Sequence, residues 1–209
     1  MMPIKTDTLV MKNNLQKRAL LLSYFNVGYH IFEEIISIGL GIITGSIALV
    51  GFGLDGIIEM LSGIVMIWRF KHKCETKKQE EAIDRKAQKL VAYTFFILGT
   101  YVLYEAIKKL IFHEAVEPSL LGIGIAVLSI VVMPIMAHLK HETGKQLNSQ
   151  SLLSDSMESY ASAWMSIVLL LALGFNYLFG LWWVDPIAGL FFVIILWREG
   201  YEAFTGKEN

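Results

Sequence analysis

The chain has 209 residues, 55% of them hydrophobic and 18% charged, with a formal net charge of −1 at pH 7 and a mean hydropathy of +0.52. Soluble domains usually carry about 25% charged residues, and a nearly neutral chain gives no electrostatic reason to expect nucleic acid as a partner. The single cysteine, Cys74, excludes an internal disulfide or a cysteine zinc cage and reads as an unpaired thiol in a reducing compartment.

Six apolar segments are predicted, over 19–43, 47–68, 90–112, 120–137, 152–175 and 178–197. Each is within reach of the ~20 residues that cross a ~30 Å hydrocarbon core. The first follows Lys17 and Arg18 as a secretory signal would, but it continues past Glu33 and Glu34, and no small-x-small cleavage site follows. It is therefore read as a membrane helix. Thr44-Gly45-Ser46 predicts a tight turn that makes a hairpin of the first two helices. The stretch 69–89, dense in Lys, Glu and Gln, is expected to be a solvated loop with helical extensions. Glu117-Pro118 is expected to open the fourth helix, and Phe175-Asn176-Tyr177 to make a second short turn before the sixth.

Basic residues set the orientation. Lys5, Lys12, Lys17 and Arg18 precede the first helix, eight Lys and Arg fill 69–89, Lys140 and Lys145 are placed between helices four and five, and Arg198 and Lys207 follow helix six. Lys108 and Lys109 fall at the opposite face. Both termini are thus expected in the cytoplasm, most naturally inside a bacterial inner membrane. Trp182 and Trp183 are read as interfacial anchors. The expected organisation is one transmembrane domain over 1–209, with a cytoplasmic segment 1–18, a basic loop 69–89 and a short tail 198–209.

A weak repeat links the halves. Ser46-Ile47-Ala48-Leu49 leads by nine residues to Asp55 and by thirteen to Glu59, and Ser149-Gln150-Ser151-Leu152 leads by nine to Glu158 and by thirteen to Ser162. With three helices per half the second copy is inverted, and nine residues of helix, ~13 Å, reach the midplane from either side. Inverted halves around a midplane site are a recurring transporter plan.

An ionised carboxylate in the membrane centre costs several kcal/mol unless it is paired, hydrated or bound to a cation. Glu33, Glu34, Asp55, Glu59, Glu105, Asp155, Glu158 and Asp185 all fall in predicted spans. No Lys or Arg is expected at comparable depth, so a proton or a bound cation must neutralise them. Asp55 and Glu59, four apart, share a helix face, and Asp155, Glu158 and Ser162 form a second stripe. Such oxygen ligands suit Mn²⁺, Mg²⁺ or Fe²⁺, and zinc also accepts carboxylates. Protons compete for the same oxygens, which supplies a route to antiport.

Other readings stay open at several positions. Capping rivals ligation at Asp155 and is favoured at Asp185, while Ser162 suits a backbone hydrogen bond or close packing equally. Glu34 and Glu105 suit pairing with Lys108 or exposure to water. Glu33 is a candidate proton carrier, or a hydrogen-bond partner of Tyr29 or Asn26. His30 is read as a packing residue. His138, His141 and Glu142 are read as a solvated turn rather than a metal-collecting site.

The run Gly45-Ser46-Ile47-Ala48-Leu49 through Leu54-Asp55-Gly56-Ile57-Ile58-Glu59 resembles the second helix of the cation diffusion facilitator, or cation efflux, family. Leu153-Ser154-Asp155-Ser156-Met157-Glu158 resembles its fifth helix, and Trp183-Val184-Asp185-Pro186-Ile187 the start of its sixth. Gly51-Phe52-Gly53-Leu54-Asp55 and Trp68-Arg69 look similar to a short branch related to animal vesicular zinc-efflux proteins. The resemblance implies metal ligands at Asp55, Glu59, Glu158 and Ser162, where typical members carry His or Asp at the third position and Asp at the fourth. Asp155 is then a partial replacement for the missing acid. It also implies a homodimer, held together by membrane helices, because only 198–209 follow Trp197 and the family's cytoplasmic domain is expected to be absent.

The sequence thus predicts an all-α six-helix exporter of divalent cations (Zn²⁺, Mn²⁺ or Fe²⁺), driven by proton antiport with alternating access. It predicts no catalytic residues and no prosthetic group. The alternative is a non-transporting metal-sensing or partner-binding membrane protein on the same fold.

Overall fold

The computed structural model describes residues 4–71, 77–117 and 119–205; His72, Cys74 and Pro118 lie outside them. Among the described residues there are six helices: α1 (Ile4–Thr44), α2 (Ile47–Lys71), α3 (Lys77–Phe112), α4 (Leu120–Leu147), α5 (Gln150–Phe179) and α6 (Val184–Thr205). Within them Asn13–Thr44, Ile47–Trp68, Leu120–Leu147 and Ser151–Phe179 are long and apolar enough to cross a membrane.

The most extensive packing joins α1 to α2, α4 to α5 and α3 to α6. The helices that a threefold-plus-threefold repeat would exchange also touch: α1 with α4, α2 with α5, and α3 with α6. One apolar cluster joins α2, α4, α5 and α6 through Leu49, Phe52, Ile125, Leu169, Leu173 and Phe192. A second, with Ile47, Leu54, Val102, Ala106 and Val193, joins α2, α3 and α6. Lipid tails are as apolar as these side chains, so close contact and buried polar bonds, rather than expulsion of water, favour such packing.

Polarity is arranged inside out. Along α1, Ser23, Asn26, His30, Glu33, Glu34 and Ser37 are all buried, while Leu21, Phe25, Phe32, Ile35, Ile42 and Ile43 are exposed. The buried set recurs at three- and four-residue intervals, which is one helical face. On α5, Asp155, Ser156, Ser159, Ser162 and Ser166 are buried, and Met157, Trp164, Leu171 and Leu178 are exposed. Apolar surfaces of this extent fit a lipid environment.

The predicted hairpin turn is present. Gly45 has φ +71°, a left-handed conformation that glycine adopts at no steric cost, between α1 and α2. A few residues before it the helices touch at Gly41, where a Cβ would stand 2.7 Å from Val50 Cγ2 and 2.9 Å from Val50 N. Gly41→Ala should therefore lower stability by about 1–3 kcal/mol, read as an earlier melting midpoint in detergent; an unchanged midpoint would show that the hairpin can spread without cost.

Several boundaries differ from the sequence reading: α1 begins at Ile4 rather than Ala19, α4 begins at Leu120 behind an N-cap at Ser119 rather than at Glu117-Pro118, and α6 continues past Trp197 to Thr205. α4 does not stop at Ala137 but continues to Leu147, where Asn148 (φ 51°) forms a left-handed C-cap. Residues 175–177 are not a turn, since α5 runs through them to Phe179 and ends at Gly180 (φ 64°). Asn176, a residue type common in turns, is instead buried in the helix and donates to the Val116 carbonyl at 3.0 Å. Accordingly α6 begins at Val184 rather than Leu178.

Asp185 caps a helix, but not its own. From the first turn of α6 it accepts hydrogen bonds from Ser46 Oγ and, at 2.8 Å, from Ile47 N at the start of α2. A carboxylate is well placed there, facing unpaired amides at the positive end of a helix.

Candidate metal-ion site

Glu59, buried in α2, is the point where four helices meet. Ser162 Oγ of α5 donates to Oε2 at 2.5 Å, and Ser159 Oγ, one turn earlier, donates to Oε1. His30 Nε2 of α1 lies 3.3 Å from Oε2, and Lys140 Nζ of α4 lies 3.7 Å from Oε1. Asp155, at the cytoplasm-directed start of α5 in the sequence reading, is also buried, 3.0 Å from Lys140 Nζ, and accepts from Ser62 Oγ of α2 at 3.2 Å. Lys140 additionally donates to Ser159 Oγ at 2.8 Å.

Helices α2 and α5 thus share one polar centre, and Glu59, Asp155 and Ser162 are brought together. Asp55 is buried one turn, ~6 Å, before Glu59 on α2. Glu158 is half-buried on α5, and the α5 hydroxyls bonded to Glu59 come from Ser159 and Ser162. Among the described residues, no three His, Cys, Asp or Glu side chains converge as they stand into a group able to hold a metal ion.

The expectation that no basic residue lies at the depth of these acids is overturned. Lys140, placed in a loop by the sequence reading, is fully buried within α4. α4 runs on past Ala137 and carries Lys140 with it. Continuing the helical period puts Met133, Met136, Ala137, Lys140, Thr143 and Gly144 on one buried face, a pattern visible in the sequence. The stem of Lys140 takes its ammonium to two carboxylates, and that pairing offsets the cost of burying all three charges.

His30 does more than pack. Its Nδ1 lies 3.5 Å from Glu33 Oε2 and 3.4 Å from Glu34 Oε1, while its other nitrogen faces Glu59. Glu33 accepts from Tyr29 Oη at 2.8 Å, one of the partners expected for it. Glu34 is buried beside Gly56 rather than paired with Lys108, whose ammonium lies 3.5 Å from both Glu105 and Glu114. Chemically the centre is a string of proton-accepting groups from Glu33 through His30 to Glu59, joined to a pair of carboxylates that share one ammonium.

Residues 87–205 match the model of the cation efflux transmembrane domain. A protein of Methanocaldococcus jannaschii named as an uncharacterized transporter is 27% identical over 180 residues, 83% of this chain and 62% of that one. Transmembrane protein 163 of Xenopus laevis is 22% identical over 188 residues, 90% of this chain and 66% of its own length. A cadmium, cobalt and zinc/H(+)-K(+) antiporter of Bacillus velezensis is 26% identical over 192 residues, covering 88% of this chain and 59% of the relative. The chain spans about three fifths of the length of these relatives. The matched segment holds α4, α5, α6 and most of α3, with Lys140, Asp155, Glu158 and Ser162 inside it, and it covers more than half of the sequence: the chain belongs to the cation efflux family.

Proposed function

We propose that the protein exports divalent metal cations by exchange for protons, with alternating access to a site between α2 and α5. The observation that carries this reading is the buried pair of carboxylates, Glu59 and Asp155, bridged across those helices by serine hydroxyls. Asp55, Glu59 and Glu158 bind the ion, and Asp155 and Ser162 assist. These oxygens suit Zn²⁺, Mn²⁺ or Fe²⁺. Their present spacing is not a finished cage, so loading requires side chains and helices to close on the ion.

Glu33 carries protons, and His30 stands between it and Glu59. A metal-loaded site must lose protons and a protonated one must release metal, which couples the two fluxes in opposite directions. The working protein is a homodimer of six-span subunits in a bacterial inner membrane, with both termini cytoplasmic. The relative named as an antiporter supports the coupling.

Proteoliposomes made with the full chain test this. Uptake of Zn²⁺, Mn²⁺ or Fe²⁺ into vesicles with an acidic interior should exceed uptake without a gradient, and a proton ionophore should abolish the excess. The sign follows from competition, because protons supplied on the release side empty the site there. Equal uptake with and without the gradient would remove proton coupling. Metal binding without any flux would favour a sensor on the same fold.

A further inference from the structure

Lys140 has no place in the scheme above, yet it occupies its centre. We infer that Lys140 is a tethered counter-cation: its ammonium fills the metal's place in the empty carrier and must be displaced, still charged, when the ion enters. This rests on the transport reading and adds a residue that sets affinity and the return of the empty carrier.

Three observations carry it. The ammonium reaches the proposed ligand Glu59 at 3.7 Å and the assisting Asp155 at 3.0 Å, although they belong to different helices. It comes from a third helix, α4, and is fully buried. Ser159 accepts from Lys140 while donating to Glu59, so the hydroxyl couples cation to carboxylate. A lysine is suited to this task, since its charge is compact, its four-carbon stem is flexible and its three donors rotate. An empty carrier that reoriented with every carboxylate bare would pay their full cost in low dielectric; the ammonium offsets part of that cost and the exchanged protons the rest.

A metal must then compete with an intramolecular rival. Its apparent affinity is reduced by the fraction of time the ammonium is out of the way. Lys140→Gln keeps a hydrogen-bond donor for Ser159 and Asp155 and removes the charge. The purified variant should bind Zn²⁺ and Mn²⁺ at least about tenfold more tightly than the parent protein in titration calorimetry. In proteoliposomes its net metal flux should fall, while metal-for-metal exchange, which never needs the empty carrier to return, should persist. Lys140→Arg should restore much of the net flux. A residue that only held the fold together would give the opposite result, weaker binding and loss of both fluxes.

On the unmodified protein, saturating Zn²⁺ should raise the acetylation of Lys140 by acetic anhydride, read by mass spectrometry. Unchanged or weaker affinity in Lys140→Gln overturns the inference, and so does unchanged acetylation should that variant not be recovered folded. If the parent protein neither binds nor moves Zn²⁺, Mn²⁺ or Fe²⁺, the transport reading itself fails, a result distinct from either.

Discussion

Glu59→Gln should abolish metal transport in proteoliposomes while leaving a folded, monodisperse protein. Glutamine matches the shape of glutamate and keeps an acceptor for Ser162 or Ser159, so the contact between α2 and α5 survives. Lys140 retains its closer partner, Asp155. What disappears is the negative charge on which His30, Lys140 and two hydroxyls converge. Losing one partner of a buried charge pair weakens a complex by about 2–5 kcal/mol, which corresponds to about thirtyfold or more in affinity. Flux should therefore drop to the level of protein-free vesicles. Asp55→Ala should do the same, since that acid lies one turn away in the proposed ligand set. Wild-type flux in both variants would refute the site assignment.

Asp185→Ala should damage the fold rather than the ion site. Ser46 Oγ and the Ile47 amide, both at the start of α2, would lose their acceptor in a buried setting. Hydrogen bonds to a charged acceptor and helix caps of this kind together amount to about 3 kcal/mol. The melting midpoint in detergent should fall clearly, and Asp185→Asn, which keeps one carbonyl acceptor, should fall less. Glu59 is twelve residues along α2 from Ile47, ~18 Å, so the metal affinity of folded Asp185→Ala should match that of the parent. A large change in affinity at unchanged stability would show that Asp185 is part of the ion pathway.

Much of the architecture was legible because the bilayer imposes few options. Long apolar runs and a Thr-Gly-Ser break defined the end of α1, the start of α2 and the turn between them closely. The boundaries failed where polar residues sit inside helices. Asn176 imitates a turn residue but satisfies a loop carbonyl from within α5. Lys140 imitates a loop residue but satisfies buried acids from within α4. In both cases hydropathy reported the polar group and the helical period reported its direction, and the period was the better guide. The same holds for α1, where Ser23, Asn26, His30, Glu33, Glu34 and Ser37 trace one inward face. The meeting of α2 with α5 was foreseeable from equal depth, but the groups observed there are Glu59, Asp155, Ser159 and Ser162, and the intervening ammonium and imidazole depend on how α1 and α4 pack, which no single helix encodes.

The inward face of α1 also bears on how the chain enters the bilayer during synthesis. A lone segment carrying two glutamates, a histidine and an asparagine is a poor candidate for release into lipid. The two-residue link at Gly45 and Ser46 keeps α2 close behind, with Glu34 fitting beside Gly56 and Val27 beside Gly63. The pair is built to leave the translocation machinery together, as one unit whose polar seam is already partly covered. Lengthening that link should yield a protein that integrates poorly, however intact the rest of its sequence.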